Sequence, residues 1–111
     1  MVTTFDALAD PTRRHILDLL LERPRHVGEL VDQLGISQPG VSKHLRVLRE
    51  VGLVSVRVDA QRRLYELRTE PLQELDTWLE AYRHLWEGRF DRLDTYLQKL
   101  QKRDKDNGNN E

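Results

Sequence analysis

Gln38, Ser42, Lys43, Arg46 and Arg49 are the residues whose types and spacing could do chemistry. On 100° steps Gln38, Ser42, Arg46 and Arg49 fall on one flank of a helix, and Pro39, Lys43 and Glu50 complete its exposed side. What they offer is hydrogen bonding and charge. A glutamine amide can pair bidentately with adenine, a serine hydroxyl can bond several bases, and arginine can read guanine through O6 and N7. Lys43 fits a phosphate anchor, which adds affinity without sequence information.

A second group of cations, Arg57, Arg62 and Arg63, lies further along the chain, long enough for phosphate contact or entry into a minor groove. Arg13 and Arg14 could also touch a phosphate backbone, although cations near a helix start oppose its dipole. Gly40 is a weak helix residue by roughly 1 kcal/mol against alanine. Either close approach to a phosphate or thymine methyl, or tolerance near a helix end, would explain it. His44 sits at the edge of a buried stripe, packed and bonded to backbone or phosphate. His15, His26 and His84 are scattered. No Ser–His–Asp grouping, paired catalytic carboxylates or phosphate-cradling glycine loop can be assembled, so the residues do not suggest an enzyme.

The elements that must position these groups are legible from capping and period. "TTFDALA" is a short helix with Phe5, Leu8 and Ala9 able to pack. In "DPTRRHILDLLLER", Asp10 can cap and Pro11 sits where a missing N–H costs nothing. Ile16, Leu17, Leu20 and Leu21 form its buried face, and Pro24 stops it. "VGELVDQLG" turns Val27, Leu30, Val31 and Leu34 inward, begins at His26 where Ser or Thr is the usual cap, and ends at Gly35 in a left-handed conformation. Only Ile36 and Ser37 then precede the next helix, so the two helices must cross steeply, as in a helix-turn-helix. Ser37 is that helix's cap, Pro39 is tolerated in its first turn, and Val41, Leu45 and Leu48 are its buried stripe. Gly52 ends it.

"LVSVRV" then alternates, with Val54, Val56 and Val58 on one side and Ser55 and Arg57 on the other. "RLYEL" alternates again, with Tyr65 and Leu67 inward. Two strands directly after a helix-turn-helix make a wing. Its connection, "DAQR", has no glycine, which predicts a loop longer than a two-residue type I′ turn. From Pro71 to about Leu100 the period is helical. Leu72, Leu75, Leu79, Tyr82, Trp86, Leu93, Tyr96 and Leu100 keep heptad spacing, broken once by Arg89. Trp78, Leu85, Phe90 and Leu97 add a second apolar row. That stripe is too wide for a two-helix seam, so one row is assigned to the domain and the other to a second subunit. Gly88 marks a kink or a break between two helices. The fold class is mainly α with a small β-hairpin wing, over one domain, 1–102, followed by a disordered polar tail, 103–111.

The bulk properties agree. The chain has 111 residues, 38% hydrophobic and 33% charged, with mean hydropathy −0.69. That suits a helical domain with a thin core completed by a partner. The absence of cysteine excludes disulfides and thiolate metal sites. No apolar run approaches a membrane span, and no signal pattern stands at the N-terminus, so the cytoplasm is expected. The net charge of −1 hides a partition: −2 over residues 1–36, +4 over 37–69 and −3 over 70–111. A basic middle between acidic ends is the form of a localised phosphate-binding face.

With these elements in place, "LADPTRRHILDLL", "VGELVDQLGISQPGVSKHLRVLREVGLV" and "LYELRTEPLQELDTWL" resemble the bacterial ArsR-type winged-helix repressors over most of residues 5–79. The resemblance implies a homodimer built from the first and last helices, double-stranded operator DNA as ligand, and repression by blocking transcription. It implies a dimer interface of Phe5, Leu8, Leu75, Trp78, Leu79, Tyr82, Trp86, Phe90, Leu93 and Leu97. The DNA-binding set is Ser37, Gln38, Pro39, Gly40, Ser42, Lys43, His44, Arg46 and Arg49 with Arg57, Arg62 and Arg63. Two departures bear on sensing. Some members carry metal-binding cysteines in the helix before the turn, and "VGELVDQL" has none. Others hold metal on the last helix in a DxH…HxxE-like arrangement. Here His84 and Glu87 keep the HxxE spacing, but Pro71 and Gln73 stand where the other pair would be. The chain is similar to the metal-independent members, whose last helix carries tryptophans as Trp78 and Trp86 do here.

The expectation is therefore a sequence-specific DNA-binding regulator, a homodimeric repressor with no cofactor, no metal site and no membrane association. Two symmetry-related helices would sit about one DNA turn apart, roughly 34 Å. A metal-responsive sensor using His84 and Glu87, and a winged-helix module that holds another protein, are the alternatives. No residue pattern names an effector.

Overall fold

The structure is a computed structural model that describes residues 1–109, the side chains of 88–94 and 103–109 excepted. In chain order it forms α1 (Thr4–Ala9), α2 (Pro11–Glu22), β1 (Arg25–His26), α3 (Val27–Leu34), α4 (Gln38–Glu50), β2 (Val54–Asp59), β3 (Arg62–Leu67) and α5 (Glu70–Asn109). The chain divides into two compact units, Met1–Glu74 and the helix from Leu75 onward.

Helix starts follow the capping residues. Thr3 and Asp6 form a reciprocal capping box: the Asp6 N–H donates to Thr3 Oγ1 at 3.1 Å, and the Thr3 N–H donates to Asp6 Oδ2 at 2.8 Å. Asp10 caps α2 by accepting from the Thr12 and Arg13 N–H groups at 2.8 and 3.1 Å. These bonds, the one from Arg13 foremost, hold its carboxyl below the usual aspartate range against desolvation, helped by the charges of His44 and Arg13. In α2 the buried residues are Ile16, Leu17, Leu19 and Leu20, whereas Leu21 is exposed. The expected inward place of Leu21 belongs to Leu19, because α2 is packed by α1, α3, α4 and β3 together and so buries a broad arc. Leu21 instead edges an apolar hollow of about 230 Å³ shared with Leu8, Leu17, Leu67 and Leu72.

The wing has three strands in the order β1-β3-β2, all antiparallel. β1 is only two residues, pairing Arg25 with Tyr65 and His26 with Leu64. Leu64 and Tyr65 are both buried, because β3 is central and is covered on both faces at that point. The hairpin connection is shorter than its composition predicts. Asp59 pairs with Arg62, leaving Ala60 and Gln61 as the loop. Ala60 takes φ +57°, a conformation that glycine adopts more cheaply.

The core joins Ala7, Ile16, Leu20, Leu30, Val41, Leu45, Leu48, Leu53 and Tyr65, with the start of α5 added through Leu72. From Leu75 onward α5 runs without a break through Gly88. It continues over 103–109, where the polar composition predicts a disordered tail. Asp, Asn and Gly dominate this stretch and are weak helix formers, but extending an existing helix adds a hydrogen bond for each residue fixed without a new nucleation cost. The last two residues of that expected tail, 110 and 111, lie outside the described residues.

Candidate nucleic-acid interface

The turn between α3 and α4 is built by local chemistry. Gly35 is left-handed (φ 68°, ψ 22°), and its N–H closes on the Val31 carbonyl at 2.9 Å. Ile36 follows, half-buried, and Ser37 caps α4 by accepting the Gly40 N–H at 3.3 Å. Pro39 occupies the first turn. Gly40 has a reason inside the fold: a Cβ there would lie 3.3 Å from Ser37 Oγ and 3.7 Å from Ile36 Cδ1. The missing side chain leaves room for the cap.

Burial fixes which face of α4 points out. Val41, Leu45 and Leu48 are each 1% exposed or less. Gln38, Pro39, Lys43, Arg46, Arg49 and Glu50 are exposed, and Ser42 and His44 are half-buried. His44 Nδ1 is buried without a hydrogen-bond partner among the described residues.

The wing cations divide. Arg57 makes an ion pair with Glu66 across the hairpin, and Arg68 pairs with Glu70 at 2.9 Å. Among the described residues Lys43, Arg46, Arg49, Arg62 and Arg63 make no ion pair. Arg62 and Arg63 share one open notch of about 480 Å³ with Gln38, His26, Val27, Gly28 and Glu29. The first residue of α4 and the tip of the wing therefore border the same space, although they are far apart in sequence. Such a notch, with cations and an amide at its rim and no carboxylate neutralising them except Glu29, can seat an anionic chain. Glu29 is itself held by Arg23, by the His26 N–H and by the His26 charge, which keep its carboxyl below the usual glutamate range against desolvation.

Arg13 and Arg14, expected as possible backbone contacts, are engaged elsewhere. Arg13 donates through Nε to the Ala7 carbonyl at 2.8 Å and through Nη2 to the Asp6 carbonyl at 2.9 Å. Arg14 Nη1 donates to the Leu8 carbonyl at 2.7 Å. These are carbonyls at the end of α1 with no intrahelical donor, so the two arginines close that helix.

Two residues to which sequence reasoning gives no part in binding are built into the same region. Arg25 is buried at 7% exposure, and His26 Nδ1 lies 3.2 Å from the Arg63 carbonyl oxygen. The signal available was the spacing Glu22–Arg25–Glu29, three and four residues, which reads as an ion-pair pattern only if the helix break at Pro24 is set aside.

Of the residues assigned to a second subunit, Phe5 is 56% exposed, Leu8 packs against the core, and Leu75 and Leu79 are half-buried. Trp78, Tyr82, Trp86 and Leu97 are exposed, and the Trp78 and Tyr82 rings lie 5.0 Å apart. The side chains of Phe90 and Leu93 lie outside those described. Among the described residues no three of His, Asp and Glu gather as a metal site would require, and no helix is long and apolar enough to cross a membrane.

Residues 10–56 match the model of a family described as bacterial regulatory protein, arsR family. The transcriptional repressor SdpR of Bacillus subtilis is 37% identical over 79 residues, which is 71% of this chain and 88% of that protein. An HTH-type transcriptional regulator of Mycobacterium tuberculosis is 44% identical over 78 residues, 70% of this chain and 73% of its own length. Among solved structures, that of an ArsR family transcriptional regulator superimposes with TM-score 0.66 at 34% identity, covering 75% of this chain and 86% of that one.

Proposed function

Because the chain belongs to the ArsR family of bacterial transcriptional regulators, we propose that it represses transcription by binding duplex operator DNA as a homodimer. α4 enters the major groove. Gln38 and Ser42 near its start meet base edges, and Arg46 reads a base or the groove wall. Ser37, Pro39 and Gly40 bring the helix start close to the backbone, with Lys43, His44 and Arg49 on the flanking phosphates. Arg62 and Arg63 reach the backbone or the neighbouring minor groove from the wing, with Arg57 as a lesser contributor because Glu66 already engages it. Residues 1–102 act as one DNA-binding and dimerisation domain, in the cytoplasm. The dimer closes through Phe5 and Leu8 of α1 and the apolar rows of α5. The chain works without a metal, having no cysteine and Pro71 and Gln73 where a ligand pair would be needed.

The observation that supports this reading most is the outward flank of α4, whose cations make no ion pair among the described residues while its opposite face is the core. Binding to DNA selected from a random pool by the full chain tests it. Arg46→Ala is expected to lose about 1–3 kcal/mol on the selected sequence if the guanidinium reads a base, and Lys43→Ala to weaken all sequences alike. Undiminished affinity in Arg46→Ala removes that residue from the reading set. A chain that sediments as a folded monomer at micromolar concentration contradicts the role given to α5.

A further inference from the structure

The two halves of the proposed interface, α4 and the wing, are tied by residues outside the set assigned to base and phosphate contact. Arg25 is the buried anchor, and a buried charge requires partners. Its Nε donates to the Leu19 carbonyl at 2.9 Å, in the last turn of α2, where carbonyls lack intrahelical donors. Its Nη2 donates to Glu22 at 2.5 Å, and its Nη1 lies 3.8 Å from the Glu29 carboxylate. Glu29, in the first turn of α3, also pairs with Arg23 and accepts the His26 N–H at 3.3 Å. The end of α2, the link over 23–26 and the start of α3 are thereby cross-linked.

His26 carries this knot to the wing. Its main chain pairs with Leu64 in β3, and its Nδ1 meets the Arg63 carbonyl oxygen at 3.2 Å. A carbonyl only accepts, so Nδ1 holds the proton and donates it. β1 has two residues, so the ladder joining it to β3 is short, and the imidazole bond adds a side-chain tie between the start of α3 and the outer end of β3. It acts at Arg63 itself, beside Arg62 and one strand residue from the tip.

We propose that His26, anchored through the Arg25–Glu29 cluster, is a positioning residue for DNA binding, one that aims Arg62 and Arg63 at the phosphates flanking α4. This rests on the DNA-binding reading above. Without the bond the fold and α4 remain, but the wing arginines leave their fixed geometry. Fewer phosphates are then neutralised together, and the salt dependence of binding falls.

The test uses the full chain and a duplex of random sequence, with affinity followed by fluorescence anisotropy between 50 and 200 mM salt (about a fourfold range) and thermal unfolding in parallel. His26→Ala is expected to lower the log–log slope by about 0.9 for each phosphate left unneutralised, so a single phosphate makes the salt-induced weakening about threefold smaller. His26→Asn, whose amide N–H can take the place of Nδ1–H, restores the wild-type slope. Arg63→Ala keeps the carbonyl and removes the guanidinium, so adding His26→Ala to it costs less slope than His26→Ala alone. Where His26→Ala does not fold, His26→Gln replaces it, since its longer side chain cannot set its amide at the Nδ1 position. A slope unchanged in folded His26→Ala or His26→Gln, or the same reduction with and without Arg63→Ala, overturns the positioning role. Failure of the wild-type chain to bind the duplex at the lowest salt overturns the DNA-binding reading, and the positioning role with it.

Discussion

Gly40 is where helix propensity and capping conflict, and a double-mutant cycle with Ser37 separates them. As the third residue of α4, Gly40→Ala should gain up to about 1 kcal/mol from propensity. The new methyl, however, lands 3.3 Å from Ser37 Oγ, closer than a relaxed carbon–oxygen contact, while 3.7 Å to Ile36 Cδ1 is ordinary packing. Only the cap is crowded. Ser37 Oγ must turn away and loosen its 3.3 Å bond to the residue 40 N–H. A serine cap contributes typically about 1 kcal/mol. The two effects nearly cancel, so Gly40→Ala alone is expected to change stability by less than about 0.5 kcal/mol.

Ser37→Ala removes the hydroxyl and the conflict together. In that background Gly40→Ala should recover its full propensity gain, about 1 kcal/mol, or about 4 °C for a chain of this size. The coupling between the two sites is then about 1 kcal/mol, well above the scatter expected for independent residues. Urea unfolding of the four chains, with midpoint and slope fitted separately, measures it. An equal effect of Gly40→Ala with Ser37 present and absent refutes the crowding, and with it the explanation of why glycine stands there.

Ala60 at φ +57° carries a left-handed penalty of about 1–2 kcal/mol, partly offset on glycine substitution by the extra freedom of the unfolded chain, about 0.5–1 kcal/mol. Ala60→Gly should therefore stabilise by up to about 1 kcal/mol in chemical denaturation, and a destabilised variant would show that the turn is not strained. Asp10 has a folded pKa held below its ordinary value by the Arg13 and Thr12 N–H groups, so the unfolded state binds the proton more readily. The stability this supplies is present above the ordinary aspartate range and is lost as pH falls through the folded value. Asp10→Asn keeps a good cap without the titration, and should flatten the acid arm of a stability–pH curve measured by urea unfolding.

The helix-turn-helix was legible in the sequence because each of its signals is local. Gly35 needs only its own φ, Ser37 only the N–H three residues on, and Val41, Leu45 and Leu48 only the helical period. β1 was not legible, since two residues carry no period and Arg25–His26 become a strand only by meeting Leu64–Tyr65 from far along the chain. The length of the wing turn escapes composition, which reports what a residue prefers, while the register of β2 on β3 forces Ala60 into a conformation it disfavours. For Arg13 and Arg14 the side-chain types were right for phosphate, but their reach to the end of α1 depends on how α1 folds back on α2. The period of α5 marks it as a helix, yet its continuity through Gly88 follows from cooperativity along the helix, to which a residue-by-residue propensity is blind.

The pairing of charges also limits how strongly salt can act on binding. Over residues 37–69 there are seven cations, but Arg57 and Arg68 face Glu66 and Glu70. On the proposed DNA-binding reading, that leaves Lys43, Arg46, Arg49, Arg62 and Arg63 of this segment to displace counterions. At about 0.9 per phosphate neutralised, five cations set a log–log salt slope of at most about 4.5 per subunit, and about 9 for a dimer that engages both half-sites. Any of the five spent on base edges lowers the figure. Arg57→Ala and Arg68→Ala should leave the slope on random duplex within error, because those side chains already have an anion, whereas Lys43→Ala and Arg62→Ala should each reduce it by about 0.9 per subunit. A slope well above this ceiling, or a reduction in Arg57→Ala as large as in Arg62→Ala, would mean that internal ion pairs open on contact with DNA, and that the exposed cations of the free chain do not define its binding face.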